Sequence, residues 1–134
     1  MNTYEKIKEG SIIPIGWGTG KIFKYRHLIH DFDVQFTIDT NQTEEFVDNV
    51  KIYEPTILEE IDLSNYVLII YSIDYMSAVY TYCEKFKNLK CIPFNAYDLG
   101  ITIKLKESSE VINACFNQGV FYENLNSINI NYFR

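Results

Sequence analysis

Residues 11–39 read SIIPIGWGTGKIFKYRHLIHDFDVQFTID, and the fold is decided within them. An apolar run, Ile12, Ile13 and Ile15, gives way to three alternating glycines, Gly16, Gly18 and Gly20; a helical pattern follows, then a second apolar run closed by Asp39. This order predicts a strand, a tight turn, a helix and a second strand. Glycine suits the turn because a chain without Cβ atoms folds sharply and lets a ligand lie against its N–H groups. The helix expected from Lys21 aims its unpaired amides and its positive dipole end at the same place. A small anionic group, a phosphate in the first instance, is the expected occupant.

Working outward, residues 1–10 form a polar lead-in with a helical turn ended by Gly10. Ile12 to Ile15 is the first strand, apolar enough to be covered on both faces, with Pro14 as a strand-end or bulge residue. Ile22, Tyr25, Leu28, Ile29 and Phe32 recur at helical spacing, so a crossover helix is expected over 21–31. Val34 to Ile38 is the second strand. A polar loop (40–45) precedes a third strand, Val50 to Tyr53, and Pro55 opens a short helix. Tyr66 to Tyr71 (YVLIIY), the most hydrophobic run, is the central fourth strand. Asp74 is expected to cap a helix whose Met76, Val79, Cys83 and Phe86 face the sheet, and Cys91 to Phe94 is the fifth strand.

Past Asn95 the pattern changes. Ile101, Ile103 and Leu105 alternate with polar residues as in an edge strand, 107–118 suits a helix stopped by Gly119, and Ile128, Ile130 and Tyr132 alternate again. The expected fold is therefore a single α/β domain over 1–134, with core βαβ units in 1–95 and a C-terminal extension in 96–134. It is a Rossmann-like three-layer sandwich whose mostly parallel sheet has the order 3-2-1-4-5. Ligands of such sheets bind where the strand order reverses. That point lies between the first and fourth strands, with Ser72 to Asp74 beside the glycine turn and Asp39 at the flank.

Composition narrows the partners. With 134 residues, 47% hydrophobic and 22% charged, the chain suits one folded domain. A net charge of −6 disfavours nucleic acid, whose phosphates demand surplus Lys and Arg. No apolar run approaches the roughly 18–20 residues of a membrane span, and MNTYEKIKEG has no apolar signal core, so a cytoplasmic location is expected. Cys83, Cys91 and Cys115 form no CxxC pair, and are read as small buried hydrophobes rather than a disulfide framework or zinc site.

The candidate ligand-binding residues are Gly16, Trp17, Gly18, Thr19, Gly20, Lys21, Asp39 and Ser72. Lys21 is placed to pair with a phosphate. Asp39, 21 positions after Gly18, is placed to accept hydrogen bonds from ribose hydroxyls. Trp17 either stacks on a base or caps the core. His27, His30 and Asp31 share a helix face but lack further ligands, so no metal is assigned. Tyr4 and Lys8 have Tyr-x-x-x-Lys spacing but precede the glycine turn, in the wrong order for a short-chain dehydrogenase. No nucleophile–base pair or carboxylate pair stands out after the fourth strand, which leaves catalytic residues and enzymatic activity unassigned.

Two resemblances follow. Gly16, Gly18 and Gly20 complete a GxGxG motif similar to the first motif of S-adenosylmethionine-dependent methyltransferases, although Pro14 stands where those enzymes usually carry an acid; GxGxxG counted from Gly18 is broken at Phe23. More broadly, WGTGKIFKY, FTID, VKIYEPTILEEID and YVLIIYS, within residues 11–95, resemble the small Rossmann-like domains of bacterial surface-polysaccharide biosynthesis proteins. Such domains occur alone or joined to glycosyltransferases and sugar-modifying enzymes. The resemblance implies a nucleotide-sugar or NAD as ligand, held by Gly18-Thr19-Gly20 and Asp39, with Pro55 after the third strand. S-adenosylmethionine is the lesser alternative. A further alternative is a non-catalytic interaction module whose residues 96–134 dock a second copy, giving a homodimer, or a glycosyltransferase partner.

Overall fold

Chain segments that bury side chains on both faces must be covered on both faces, and the run at Tyr66–Ile70 sets that condition. In the computed structural model, which describes residues 1–41 and 43–100, this run is strand β5, and Val67 to Ile70 are wholly buried. Val67 and Ile69 enter a core with Phe23, Ile29 and Phe94, while Leu68 and Ile70 enter a second with Ile15, Leu58 and Val79. At roughly 1.5–3 kcal/mol per large apolar side chain, these four residues alone anchor both layers.

The remaining elements arrange themselves around that strand. Helix α1 (Thr3–Glu9) precedes strand β1 (Ile13–Trp17); short helices α2 (Lys21–Lys24) and α3 (Arg26–Ile29) lead to β2 (Thr37–Ile38). Strands β3 (Phe46–Val47) and β4 (Val50–Tyr53) form a hairpin, and two 3-10 helices, Pro55–Glu59 and Leu63–Asn65, lead into β5. Helix α4 (Met76–Cys83), β6 (Lys90–Pro93) and a 3-10 turn at Tyr97–Leu99 complete the described chain. Helices α2 and α3 contribute to the first core, and the Pro55 helix and α4 to the second.

The sheet has six strands in the order β3-β4-β2-β1-β5-β6, parallel except for the β3–β4 pair. It is an α/β fold with a mostly parallel sheet, but the order differs from the expected 3-2-1-4-5. The difference is the edge strand β3, which occupies residues between the anticipated polar loop and third strand. A two-residue turn joins β3 to β4, with Asp48 and Asn49 at φ +48° and +65°. Positive φ at both central positions twists the hairpin with its strands, and Asn and Asp tolerate it better than most residues.

Pro14 lies inside β1, opposite Val67, rather than at its end. Gly16 and Gly18 donate to Phe36 and Ile38 on the β2 side, so by alternation the Pro14 nitrogen faces that side too. The β2 ladder begins only at Thr37. No sheet bond is therefore lost to the proline. Gly10 ends α1 in the left-handed conformation, as its place after the polar lead-in predicts.

The expected helix over 21–31 is broken at Tyr25 (φ −93°, ψ 7°) into two four-residue pieces. Arg26, 1% exposed, explains the break: its Nε donates to Asp33 at 2.6 Å, Nη2 to the other Asp33 oxygen at 3.2 Å, and Nη1 to Asp48 and to the Phe23 carbonyl. The guanidinium also lies 4.2 Å over the Phe23 ring. One side chain thus ties α3 to the β3–β4 turn. Burial acts to raise the Asp33 carboxyl, but the Arg26 hydrogen bonds outweigh it and hold that group below the usual range. Replacing Arg26 by Leu removes its bonds to two half-exposed carboxylates and to the Phe23 carbonyl, and should cost about 1–2 kcal/mol in urea unfolding; Asp48→Asn, which keeps an acceptor, should cost under about 1 kcal/mol.

His30 is buried as well, its Nε2 2.8 Å from the Phe94 carbonyl and its Nδ1 3.1 Å from the Tyr71 hydroxyl. The carbonyl can only accept, so Nε2 carries the proton and Tyr71 donates to Nδ1. Burial pushes the imidazole down to about 4 from 6.5. Above pH 6.5 both folded and unfolded chains hold it neutral; below that, the unfolded chain takes a proton the folded one refuses. Stability should fall by up to about 1.4 kcal/mol per pH unit between pH 6.5 and 4, about 3 kcal/mol in all. Denaturant titrations of wild type and His30→Gln across that window should show a shallower slope in the variant.

Candidate functional site

The pairing of β1 with β5 runs in register from Ile13–Tyr66 to Trp17–Ile70. Beyond it Tyr71 N still donates to Trp17 O at 2.8 Å, while Gly18 N donates to Ile38 O at 2.8 Å on the other side. The chain leaving β1 is thereby held against both neighbours at the point where strand order reverses. A cavity of about 750 Å3 opens there, outside the carboxyl ends of the strands.

Seven of the eight candidate residues line it: Trp17, Gly18, Thr19, Gly20, Lys21, Asp39 and Ser72. Gly16 does not. Its missing Cβ would meet Thr37 Oγ1 at 3.0 Å and the Tyr71 ring at 3.3 Å, so this glycine serves packing beneath the site. Gly18 serves both ends: its φ of +123° excludes most side chains, and a Cβ would crowd Ser72 N and the Tyr71 carbonyl carbon at 3.3 Å. Gly20 differs from both. At φ −82° and ψ −156° it is extended backbone open to any residue, and no atom lies within 4 Å of where its Cβ would be.

Asp39 is already engaged. Thr19 Oγ1 donates to its Oδ2, and the Asn41 amide to its Oδ1 at 2.9 Å. Each carboxylate oxygen retains a lone pair, so the group is oriented rather than saturated. Trp17, 7% exposed, belongs to the second core and packs edge-on against Tyr82, with ring centroids 5.5 Å apart, and it also lines the cavity.

Two expectations are revised. Helix α2 spans four residues, so the dipole expected at its start is confined to one turn, and the main-chain amides of the turn carry what remains. Asp74 does not cap α4. The helix starts at Met76 with Tyr75 at the N-cap position and no side-chain capping bond, which puts Asp74 one residue too far upstream. Asp74 lines the cavity instead.

The sequence reading missed the far wall, which Ala78, Val79 and Tyr82 of α4 form together with Tyr75, the residue before that helix. Their spacing of three, four and seven was a usable signal. Among the described lining residues Lys21 is the one cation, facing two carboxylates, Asp39 and Asp74. The cavity is not a general trap for anions. Among the described residues there is no grouping of three or more His, Cys, Asp or Glu suited to a metal, and no helix is long and apolar enough to cross a membrane.

The chain matches no protein-family model, no curated protein and no solved structure. The likeness to Rossmann-like polysaccharide-biosynthesis domains rests on the motifs quoted above. The expected edge strand, helix and terminal strand of 101–134 lie outside the described residues.

The three glycines should separate cleanly on substitution. Gly18→Ala is expected to cost about 1–3 kcal/mol through its backbone conformation, and Gly16→Ala to be destabilising through the Tyr71 contact. Gly20→Ala should stay within about 0.5 kcal/mol of wild type. Thermal and urea unfolding of the three variants would check the ranking.

Proposed function

We propose that this chain binds a nucleotide or nucleotide-sugar at the Gly18–Lys21 turn and acts in bacterial surface-polysaccharide synthesis. The observation that carries the binding reading is Gly20: neither its backbone angles nor its neighbours require glycine, no atom lies within 4 Å of where a Cβ would sit, and the residue lines the cavity. A glycine kept bare toward an opening suits a ligand lying against the main chain. Lys21 then meets a phosphate, and Asp39, oriented by Thr19 and Asn41, accepts from ribose hydroxyls. The role in polysaccharide synthesis draws on the motif resemblance alone.

Trp17 is the single tryptophan of the chain and lies in the cavity wall, which makes its emission a local reporter. Titration with UDP-sugars, NAD and S-adenosylmethionine should change that emission saturably for the first class. A ligand at a hundred times its Kd should add about 2.7 kcal/mol of stability, seen as a raised Tm. Gly20→Leu should fold normally and lose both responses. A flat response across all three ligand classes would end the nucleotide reading, and saturation by S-adenosylmethionine alone would replace it with a methyltransferase.

A further inference from the structure

Resting on the nucleotide-sugar reading of this cavity, we infer that its α4 wall seats the sugar itself, as a neutral pyranose ring stacked against Tyr75 and Tyr82 with its hydroxyls donated to Asp74. Tyr75, the residue before α4, and Tyr82, in its last turn, both line the cavity. The smaller Ala78 and Val79 line it as well. Tyr75 lines the cavity and is 69% exposed, so its ring is accessible to a guest. Tyr82 is held more firmly, by its edge contact with Trp17 and by the Lys85 ammonium 4.2 Å over one face of its ring, which leaves the other face for the guest.

The polar neighbours select among flat or ring-shaped guests. Asp74 is exposed beside Tyr75, and Ser72 lies in the same wall. A carboxylate only accepts hydrogen bonds, so the guest must bring donors, and a second carboxylate on the guest would be repelled. The negative face of an aromatic ring attracts the polarised C–H face of a sugar. Hydroxyl donors on the rim and C–H groups on the face are together the description of an uncharged hexose. Among the described lining residues Lys21 is the one cation and belongs to α2, whereas Tyr82 belongs to α4, so the charged and sugar parts of the ligand meet different elements of the wall.

The test compares UDP, UDP-glucose, UDP-galactose, UDP-glucuronate and NAD, titrated against the full chain with Trp17 emission as readout. At least one UDP-hexose should bind about tenfold tighter than UDP. Tyr75→Ala, at an exposed position that should not disturb folding, should bring that hexose down to the affinity of UDP and leave UDP unchanged. Asp74→Asn should narrow the preference for the hexose over UDP-glucuronate. Equal binding of UDP and both hexoses by wild type, or a sugar gain that survives Tyr75→Ala, would overturn the assignment while leaving nucleotide binding intact. NAD binding more tightly than every UDP-hexose would assign the wall to a cationic ring instead. Failure of every nucleotide to bind would remove the underlying reading and this one with it.

Discussion

The parallel pairing of β1 with β5 is the constraint from which the rest follows. Five residues of each strand run side by side, and the bond from Tyr71 N to Trp17 O carries the contact past the last ladder pair. Two chains held this closely leave no room for a side chain where they part, which is why Gly18 faces Ser72 N with only a hydrogen between them. From that point one chain turns toward α2 and β2, the other toward α4 and β6. The cavity is the space that divergence leaves.

Two polar side chains are buried away from the site. Arg26 and His30 are polar groups buried under the first face, and each reaches a distant part of the chain: Arg26 the β3–β4 turn, His30 the Phe94 carbonyl after β6. Buried polar groups must find partners or cost several kcal/mol. Fixing these partners also fixes where the ends of the sheet sit relative to its centre. Tyr71 belongs to both systems, with its ring beneath Gly16 and its hydroxyl on His30.

How much of this the sequence discloses depends on the length over which a pattern persists. The third strand was legible to the residue, Val50 to Tyr53, and the fourth to within one, because alternating or continuous apolar runs bounded by Pro55 and Ser72 leave little freedom. The glycine turn was legible in part: Gly16 and Trp17 fall within β1, while Gly18, Thr19, Gly20, Lys21 and Asp39 do meet at one cavity. Strand β3 was not legible, since two residues carry no period; the Asp48-Asn49 pair was the signal available for its hairpin. The break at Tyr25 was hidden for a different reason. Arg26 reads as a surface cation on a helix, and only the tertiary positions of Asp33 and Asp48 draw it inward. His30, grouped with His27 by spacing, proves to be a core residue by the same logic.

The brevity of β3 has its own consequence for the behaviour of the chain in crowded solution. An outermost strand with two residues in its ladder gives an incoming chain little main chain to pair with, and Glu44, Glu45 and Lys51 surround it with charge. Phe46, half exposed at that margin, is partly shielded by the Lys51 ammonium 5.2 Å from its ring. Short, charged margins are how open sheets avoid stacking edge to edge into aggregates. Among the described residues, then, this margin of the sheet offers only a short, charged strip for edge-to-edge pairing.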